Sequence, residues 1–246
     1  TVPKARIPII KFKDPRSGLD VDISLDNRLA IHNSMMLKSY AQEERLQRLI
    51  QMVKYWASRR GINNAFDGTL SSYAWTLLSI QHAQLVQPPL APNRQQGAEA
   101  NPITFKGTTY DVGYNDEHYA TENNQSLASL LISFFERFAT RWDWENMVVS
   151  VRSGEALLTK AKKWKHTGPL PLEVVTGADD GWMEHVMPIE DPFNHEHDLS
   201  RVVRAEGAMT IQNEFMRIIE LLSKGYSWKD ICEPVMDIEE EPSDLF

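Results

Sequence analysis

Apolar residues first alternate with polar ones and then recur every three or four positions along the chain. Residues 7–12 and 19–24 carry the alternating pattern on either side of a Pro- and Gly-containing turn, residues 14–18, and predict a β-hairpin. Two strands alone are only marginally stable. We therefore expect the hairpin to belong to a larger sheet whose other strands lie outside this sequence.

Helical spacing follows the hairpin. Apolar residues at three- and four-residue steps predict four helices: 46–57, a second beginning near Thr69 or Ser71, 127–138, and about 208–222. Residues 86–124 show little periodicity and predict a long loop, and residues 147–151 predict a short strand. The pattern therefore predicts an α+β fold that is mainly helical.

Composition narrows the class of protein and charge distribution indicates a partner. The 246 residues include one cysteine, Cys232, which excludes an internal disulfide and a zinc site built on paired cysteines. No apolar run approaches the 18 residues expected of a membrane span. The net charge is −8, but residues 1–60 hold 12 Lys and Arg against 6 Asp and Glu, while the last ten residues hold five acids and no base. A local positive field can attract phosphate on an acidic protein, although an unevenly charged, solvated surface is an equal alternative.

Several polar residues are candidates for chemistry. Asp20 and Asp22 share one face of a predicted strand, as a Mg²⁺ site would require, or they are simply solvated. Amide, hydroxyl, ammonium and aromatic groups suited to ribose, triphosphate and base occur at Asn33, Ser34, Lys54, Ser72 and Tyr73. For the last three, a solvated charge, a helix cap and a core residue are the respective alternatives.

Two further clusters have weaker spacing. His185, His195 and His197, with Asp191 and Cys232, suggest zinc, but the ligands are poorly spaced for it. The basic run at 160–165, which contains Trp164, would suit RNA contact or a plain exposed face.

Taken together and in order, several segments resemble the terminal uridylyltransferases and related non-canonical poly(A) polymerases. The segments are Ala5–Phe12, Val21–Ser24, Leu29–Ser34, Val53–Ala57, Gly68–Tyr73, Gln84–Asn93, Asp111–Tyr114, Ser126–Leu131 and Ile189–Phe193. The resemblance spans residues 5 to about 222. No single motif is specific, but their joint order is.

The resemblance implies nucleotidyl transfer onto an RNA 3′ end by a palm domain like that of DNA polymerase β, with Mg²⁺ (or Mn²⁺) held by three aspartates. Asp22 matches the third aspartate and the metal ligand. The Gly-Ser loop and Asp-x-Asp pair that precede it in the family are absent from this sequence. We therefore expect residues 1–30 to be the last palm strands, 31–236 a helical base-recognition domain and 237–246 an acidic tail, and the isolated chain to be inactive without the rest of its catalytic domain.

The family's nucleotide contacts carry over to individual positions. Asn33 and Ser34 match residues at the ribose and triphosphate, Lys54 and Ser72 match phosphate ligands, and Tyr73 matches the ring stacked on the base. Asp191 and His197 match the loop that reads the base edge, and the histidine is similar to members that prefer UTP. This sequence departs from the pattern at Ser58, where relatives often have a second triphosphate lysine, and at Asn194, where an acid helps to recognise uracil.

The resemblance thus implies an RNA 3′-terminal uridylyltransferase with UTP and RNA as partners and no membrane. Residues 194–200 resemble kinetoplastid mitochondrial RNA-editing enzymes, which implies a mitochondrial location and an RNA-editing or RNA-processing complex. A poly(A) polymerase using ATP and a catalytically inactive RNA-binding scaffold remain the alternatives.

Overall fold

A computed structural model of the chain describes residues 9–158, 164 and 185–235. Most of the basic run at 160–165 and the whole acidic tail at 237–246 lie outside these residues. The architecture is α+β and mainly helical, which confirms the predicted fold class.

The predicted hairpin forms strands β1 (Ile9–Lys13) and β2 (Asp20–Ser24), antiparallel with Lys13 opposite Asp20. Its turn is closed by the Asp14 carboxylate, which accepts the Ser17 amide at 3.0 Å, and by Gly18 at a φ of +70°. In the described ranges the hairpin pairs with no other strand, and apolar side chains on it stay about half exposed: Ile10, Phe12 and Ile23. Such a surface is what a sheet edge and face leave when neighbouring elements are not present.

Six helices follow the hairpin in the described part of the chain. They are α1 (Arg28–Tyr40), α2 (Glu44–Arg59), α3 (Ser72–Leu85), α4 (Leu127–Glu136), α5 (Ala205–Ser223) and α6 (Trp228–Ile231). A π-helical turn, Arg137–Arg141, extends α4. Two short antiparallel pairs complete the structure: β3 (Pro102–Phe105) with β4 (Thr108–Asp111), and β5 (Met147–Val148) with β6 (Leu157–Leu158).

Helix α3 is the centre of the helical core. Every residue from Ala74 to Gln84 is buried, and a helix that is covered on all sides needs no polar stripe. Its Trp75 meets Trp56 of α2 edge to face, with 5.4 Å between ring centroids, and donates its indole N–H to the Ile62 carbonyl at 3.0 Å. Other aromatic rings close around this pair: Phe134, Phe135, Phe138 and Phe215.

Polar residues inside α3 fix the loops that cover it. Gln81 donates to the Glu155 carbonyl at 2.9 Å and accepts the Ser150 amide at 3.0 Å. Gln84 donates to the Val151 carbonyl at 3.0 Å. These bonds attach residues 150–155 to the core. They also give hydrogen-bond partners to buried amide side chains that water cannot reach.

Two local predictions are wrong. Residues 86–124 are not one loop, since they contain the β3–β4 hairpin, whose turn places Lys106 and Gly107 at positive φ. The cap of α3 is Ser71, whose hydroxyl accepts the Ala74 amide at 3.2 Å, and Ser72 is the first helical residue. The short strand predicted at 147–151 exists as β5, with Val149 bridging to Ile189 beyond its end.

Candidate nucleotide-binding site

Tyr73 lies in the first turn of α3, two residues after the capping Ser71. Its ring is half buried, and its hydroxyl is buried with no hydrogen-bond partner in the described residues. Burial, and then the nearby Asp191 carboxylate, raise the pKa of Tyr73 well above its ordinary value. The tyrosine is therefore neutral, with Asp191 beside it, as a base-stacking ring next to a base-edge acceptor would be.

Asp191 is the second residue of a tight loop, residues 190–198, which we call the base-recognition loop. One oxygen, Oδ1, accepts the amides of Phe193 at 3.0 Å and Asn194 at 2.9 Å. The Asp191 amide donates to the His197 carbonyl at 3.0 Å, so the two predicted base-edge residues lie side by side on facing segments. The second oxygen, Oδ2, has no partner in the described part of the chain and is free to accept from a base.

The acids that flank Asp191 in the loop are buried and saturated with hydrogen bonds. Glu190 is 1% exposed and accepts from the Ser150 hydroxyl and from Arg152 Nη2, the latter at 2.9 Å. Because Gln81 of α3 holds the Ser150 amide, the loop is joined to the same helix that carries Tyr73. Asp191 and Tyr73 thus share one buried support.

The far end of the loop has a second buried anchor. Asp198 is 1% exposed and accepts the amides of Ile189 at 3.0 Å and Ser200 at 2.9 Å, while its Oδ2 lies 2.6 Å from His185 Nδ1. The Trp164 ring stacks on His185 with 4.7 Å between centroids. Trp164, the aromatic residue of the predicted RNA-contacting run, therefore packs against a residue of the protein itself.

The predicted sugar and phosphate ligands lie on three different helices. Asn33 and Ser34 are on α1; Asn33 Oδ1 is buried without a partner, and the Ser34 hydroxyl donates to the Ala30 carbonyl at 2.8 Å. Lys54 is half buried on α2, and its ammonium makes no ion pair or hydrogen bond within the described residues. Ser72 exchanges hydrogen bonds with the Asn63 side chain at 2.9 and 3.1 Å. A buried Asn33 acceptor and an unpaired Lys54 are groups for which a bound nucleotide would supply partners.

Asp22 has the opposite character from Asp191. It pairs with Lys11 at 3.2 Å, and both side chains are more than half exposed. An exposed carboxylate on a strand fits one position around a hard divalent cation, whose other ligands would have to come from elsewhere. In residues 9–158, 164 and 185–235 no cluster of three His, Cys, Asp or Glu side chains is placed to hold a metal, so the zinc hypothesis gains no support.

Sequence reasoning missed the residues that support the loop: Gln81, Ser150, Arg152, Glu190 and Asp198. The one available signal was Glu190 and Asp191 following the apolar Ile189, since an acid buried there needs a cation or hydroxyl. The partners of Glu190 are 38 to 40 residues away in sequence, and no spacing rule connects them.

No helix in the part of the chain that the structure describes is long and apolar enough to span a bilayer.

Curated relatives match this chain over most of its length, and two family models match parts of it. The model described as "Cid1 family poly A polymerase" matches residues 126–197, and the one described as "Poly(A) RNA polymerase, mitochondrial-like, central palm domain" matches residues 1–42. Terminal uridylyltransferase cid1 of Schizosaccharomyces pombe is 35% identical over 232 residues, which are 89% of this chain and 56% of that protein. Poly(A) RNA polymerase GLD2 of Xenopus tropicalis is 29% identical over 220 residues, 87% of this chain and 38% of that protein. The chain thus spans about half or less of the length of these curated relatives.

Solved structures agree with the sequence matches. The crystal structure of the Cid1 poly(U) polymerase superposes with a TM-score of 0.79 at 31% identity, covering 95% of this chain and 72% of that one. A complex of Cid1 with its short product ApU gives the same TM-score and identity, covering 95% and 71%. Other similar structures are Cid1 bound to magnesium and a nucleotide.

The fold and these matches define the class of the chain as the nucleotidyltransferase family fold. More narrowly, the chain belongs to the Cid1 family, which includes both terminal uridylyltransferases and poly(A) polymerases.

Proposed function

We propose that the intact protein adds UMP from UTP to the 3′ end of RNA. The observation that carries this proposal is the position of Tyr73 beside the base-recognition loop. An aromatic ring lies near a carboxylate with one free oxygen, and the His197 backbone lies against that of Asp191 in the same loop. A ring and two edge groups are what stacking on a base and reading its edge require.

In the proposed reaction the RNA 3′ hydroxyl oxygen forms a bond to the α-phosphorus of UTP. The bond from that phosphorus to the β-phosphate bridging oxygen breaks, and pyrophosphate leaves. Two Mg²⁺ (or Mn²⁺) ions, when bound, lower the pKa of the 3′ hydroxyl and stabilise the leaving pyrophosphate. Asp22 would supply one metal ligand, and two further aspartates from the remainder of the catalytic domain would supply others.

The other residues would bind rather than react. Lys54 would neutralise phosphate charge, Ser72 would exchange its bond with Asn63 for one to phosphate, and Asn33 and Ser34 would contact the ribose and triphosphate. These groups orient the α-phosphate for in-line attack, which is the principal work of a protein in phosphoryl transfer. We propose the same boundaries for this division of labour as the sequence suggests: 1–30, 31–236 and 237–246.

His197 supports UTP, and Asn194 supports the second candidate, a poly(A) polymerase. An amide at Asn194 can donate or accept, so it favours uracil less strictly than an acid does. The similarity to GLD2 poly(A) polymerases is consistent with this alternative. The base edge, not the phosphates, therefore decides between the two.

The deciding experiment uses the intact enzyme, a 5′-labelled RNA and each of the four nucleoside triphosphates separately with Mg²⁺. We expect extension with UTP and, at equal concentration, much less with ATP. Preferred addition of AMP would replace the proposal with the poly(A) polymerase. If the intact protein binds RNA without extending it with any nucleotide, and its upstream sequence has no Asp-x-Asp, it is the inactive scaffold.

The finer hypothesis of a mitochondrial RNA-editing enzyme, acting in a complex, is supported by residues 194–200 alone. Fractionation of cells expressing the tagged intact protein tests it. Recovery in the mitochondrial fraction, with co-purifying RNA-processing proteins, is the expected result, and recovery only in the cytosol would refute it.

A further inference from the structure

A polar cleft of about 320 Å³ opens beside the base-recognition loop. Its volume lies within the range of small-ligand sites. The polar side chains that line it come from four segments of the chain: Asn93, Gln95, Gln96, Asp111, Arg152 and His195. None of the residues assigned to UTP above lines this cleft, so it is a separate cavity.

The charges of the lining favour a neutral ligand. Arg152 and Asp111 contribute one formal charge of each sign. Asp111 keeps its charge because the amides of Asn101 at 2.8 Å and Gly113 at 2.9 Å, which donate to its Oδ1, lower the pKa of the carboxyl. A triphosphate or another polyanion would meet as much negative as positive charge here. A planar, uncharged group with several donors and acceptors meets complementary amides instead.

The guanidinium of Arg152 has capacity left for such a ligand. It donates to Glu190 through Nε and Nη2, at 3.3 and 2.9 Å, and a third of the side chain remains exposed. A planar guanidinium can stack on a base face or donate to a base edge. Gln96 adds an exposed amide whose side chain makes no hydrogen bond in the described residues.

Two residues that line the cleft also bind the base-recognition loop, one on each side of Asp191. Arg152 binds Glu190, the residue before Asp191, and Gln95 Nε2 donates to the carbonyl of Pro192, the residue after it, at 2.8 Å. A ligand in the cleft therefore contacts the two side chains that fix the position of Asp191.

We propose that this cleft binds a second, unpaired nucleobase, other than the one stacked on Tyr73. Two sources share that chemistry: a nucleotide of the RNA substrate upstream of its 3′ end, or a second free nucleotide. The proposal rests on the proposed function, because it takes RNA and nucleotides as the protein's substrates.

The first test fills the cleft. Ala98 lines it and is half buried, whereas Ala100 is exposed on the same loop and lies outside it, so Ala98→Trp and Ala100→Trp in the intact enzyme form a matched pair. We expect Ala98→Trp alone to raise the KM for RNA by about fivefold or more, the scale of one lost base contact, with kcat nearly unchanged.

Photo-crosslinking identifies the source of the base. RNA carrying 5-iodouridine at single positions should crosslink wild type and Ala100→Trp, but not Ala98→Trp, to peptides containing residues 93–98 or 195. If the base comes from a free nucleotide, 5-iodo-UTP alone gives that crosslink, and the RNA KM stays unchanged. Equal crosslinking and equal KM values in both variants would overturn the proposal.

Two features keep the result interpretable. Crosslinking needs no turnover, so an enzyme that adds no UMP contradicts the proposed function without deciding about the cleft. If Ala98→Trp fails to fold, as judged by its thermal unfolding, Gln96→Leu replaces it, because the exposed Gln96 side chain has no hydrogen bond to lose. The same loss of crosslink is expected, and its persistence would overturn the proposal.

Discussion

In the base-recognition loop, Asp191 lies between Glu190 and Asp198 in sequence, and both of these acids are 1% exposed and hydrogen-bonded. Asp22, in contrast, lies on an exposed strand and pairs with the exposed Lys11. The base side of the proposed site is thus held rigidly by residues within this chain. The metal and phosphate side presents exposed or unpaired groups: Asp22, Ser34 and Lys54. Under the proposed function, residues of the helical part would support base discrimination, whereas the chemical step would need Asp22 together with the further metal ligands proposed above.

The largest effect should come from the exposed side. Asp22→Asn in the intact enzyme should lower kcat by about a thousandfold, because a metal contributes several kcal/mol to transition-state stabilisation. The melting temperature should barely change, since an exposed ion pair with Lys11 contributes little.

The matched control for that variant is Asp26→Asn, which removes another exposed pair, with Arg28 at 2.8 Å, just after β2. Its turnover should equal that of wild type. Normal turnover of Asp22→Asn would remove the metal assignment and with it the contrast between the two sides.

The base side is braced by the buried hydrogen bonds of Glu190 and Asp198, so substitutions there should change the free energy of unfolding. Arg152→Met removes the guanidinium that binds the buried Glu190 carboxylate, and should lower the free energy of unfolding by about 2 kcal/mol. This is below the usual range for a fully buried pair because Arg152 is one-third exposed. Urea denaturation of the intact protein measures it.

Arg141→Met is the control, since its pair with Glu136 is exposed and should contribute less than about 0.5 kcal/mol. Adding Glu190→Gln to Arg152→Met should recover part of the lost free energy of unfolding, because it removes the charge of the buried carboxylate. Equal destabilisation by Arg152→Met and Arg141→Met would mean that the loop is not braced as described.

Tyr73 separates stacking from hydrogen bonding at the junction of the two sides. Tyr73→Ala should raise the KM for UTP about tenfold, because stacking on a base contributes about 1–3 kcal/mol. Tyr73→Phe should keep the UTP KM and should not lower stability, since it removes a buried hydroxyl that has no partner. A UTP KM that is unchanged in Tyr73→Ala would refute the stacking role.

A pH dependence of the free energy of unfolding is expected from a buried histidine of α3. Burial, and then the Arg137 guanidinium, lower the pKa of His82 in α3 to about 3, from an ordinary value of 6.5. The unfolded chain therefore binds a proton at a higher pH than the folded one. Stability from this group is complete above pH 6.5 and falls by up to about 1.4 kcal/mol per pH unit as the pH drops toward 3.

Urea midpoints at pH 7.5 and pH 5 test this in wild type, His82→Gln and, as a control, His118→Gln, whose histidine is exposed. The stability difference between the two pH values should shrink only in His82→Gln. An unchanged difference in that variant would show that acid acts elsewhere.

The sequence predicted the elements whose signals are local. The hairpin at Ile9–Ser24 followed from alternation and from its turn, and α2 and α4 followed from single apolar stripes. Helix α1 was not delimited, because Ile31 and Met35 lie on its exposed side and break the stripe. The β3–β4 hairpin was missed because its strands have only four residues each and little of their surface is buried.

The site was predicted through resemblance, and its supports were not. Asp191 and His197 were named by motif. The proximity of Asp191 to Tyr73, and the hydrogen bonds from the Ser150 amide to Gln81 and from the Ser150 hydroxyl to Glu190, join residues far apart in the chain. Such contacts depend on how the helices pack, and a single sequence carries no period or spacing that reports them. The roles of all the site residues stay predictions: Asp22, Asn33, Ser34, Lys54, Ser72, Tyr73, Asp191 and His197.

Helix α3 carries the proposed stacking ring at its first turn and, about two turns later, Gln81, which holds the Ser150 amide and, through the Ser150 side chain, the base-recognition loop. An α-helix of this length moves as a rigid rod. In the proposed reaction cycle, a tilt of α3 would carry the ring and the base-edge residues together, because both are attached to this helix. Tyr73 and the base-recognition loop would then keep their relative positions throughout the proposed cycle, and only their distance from Asp22 would change.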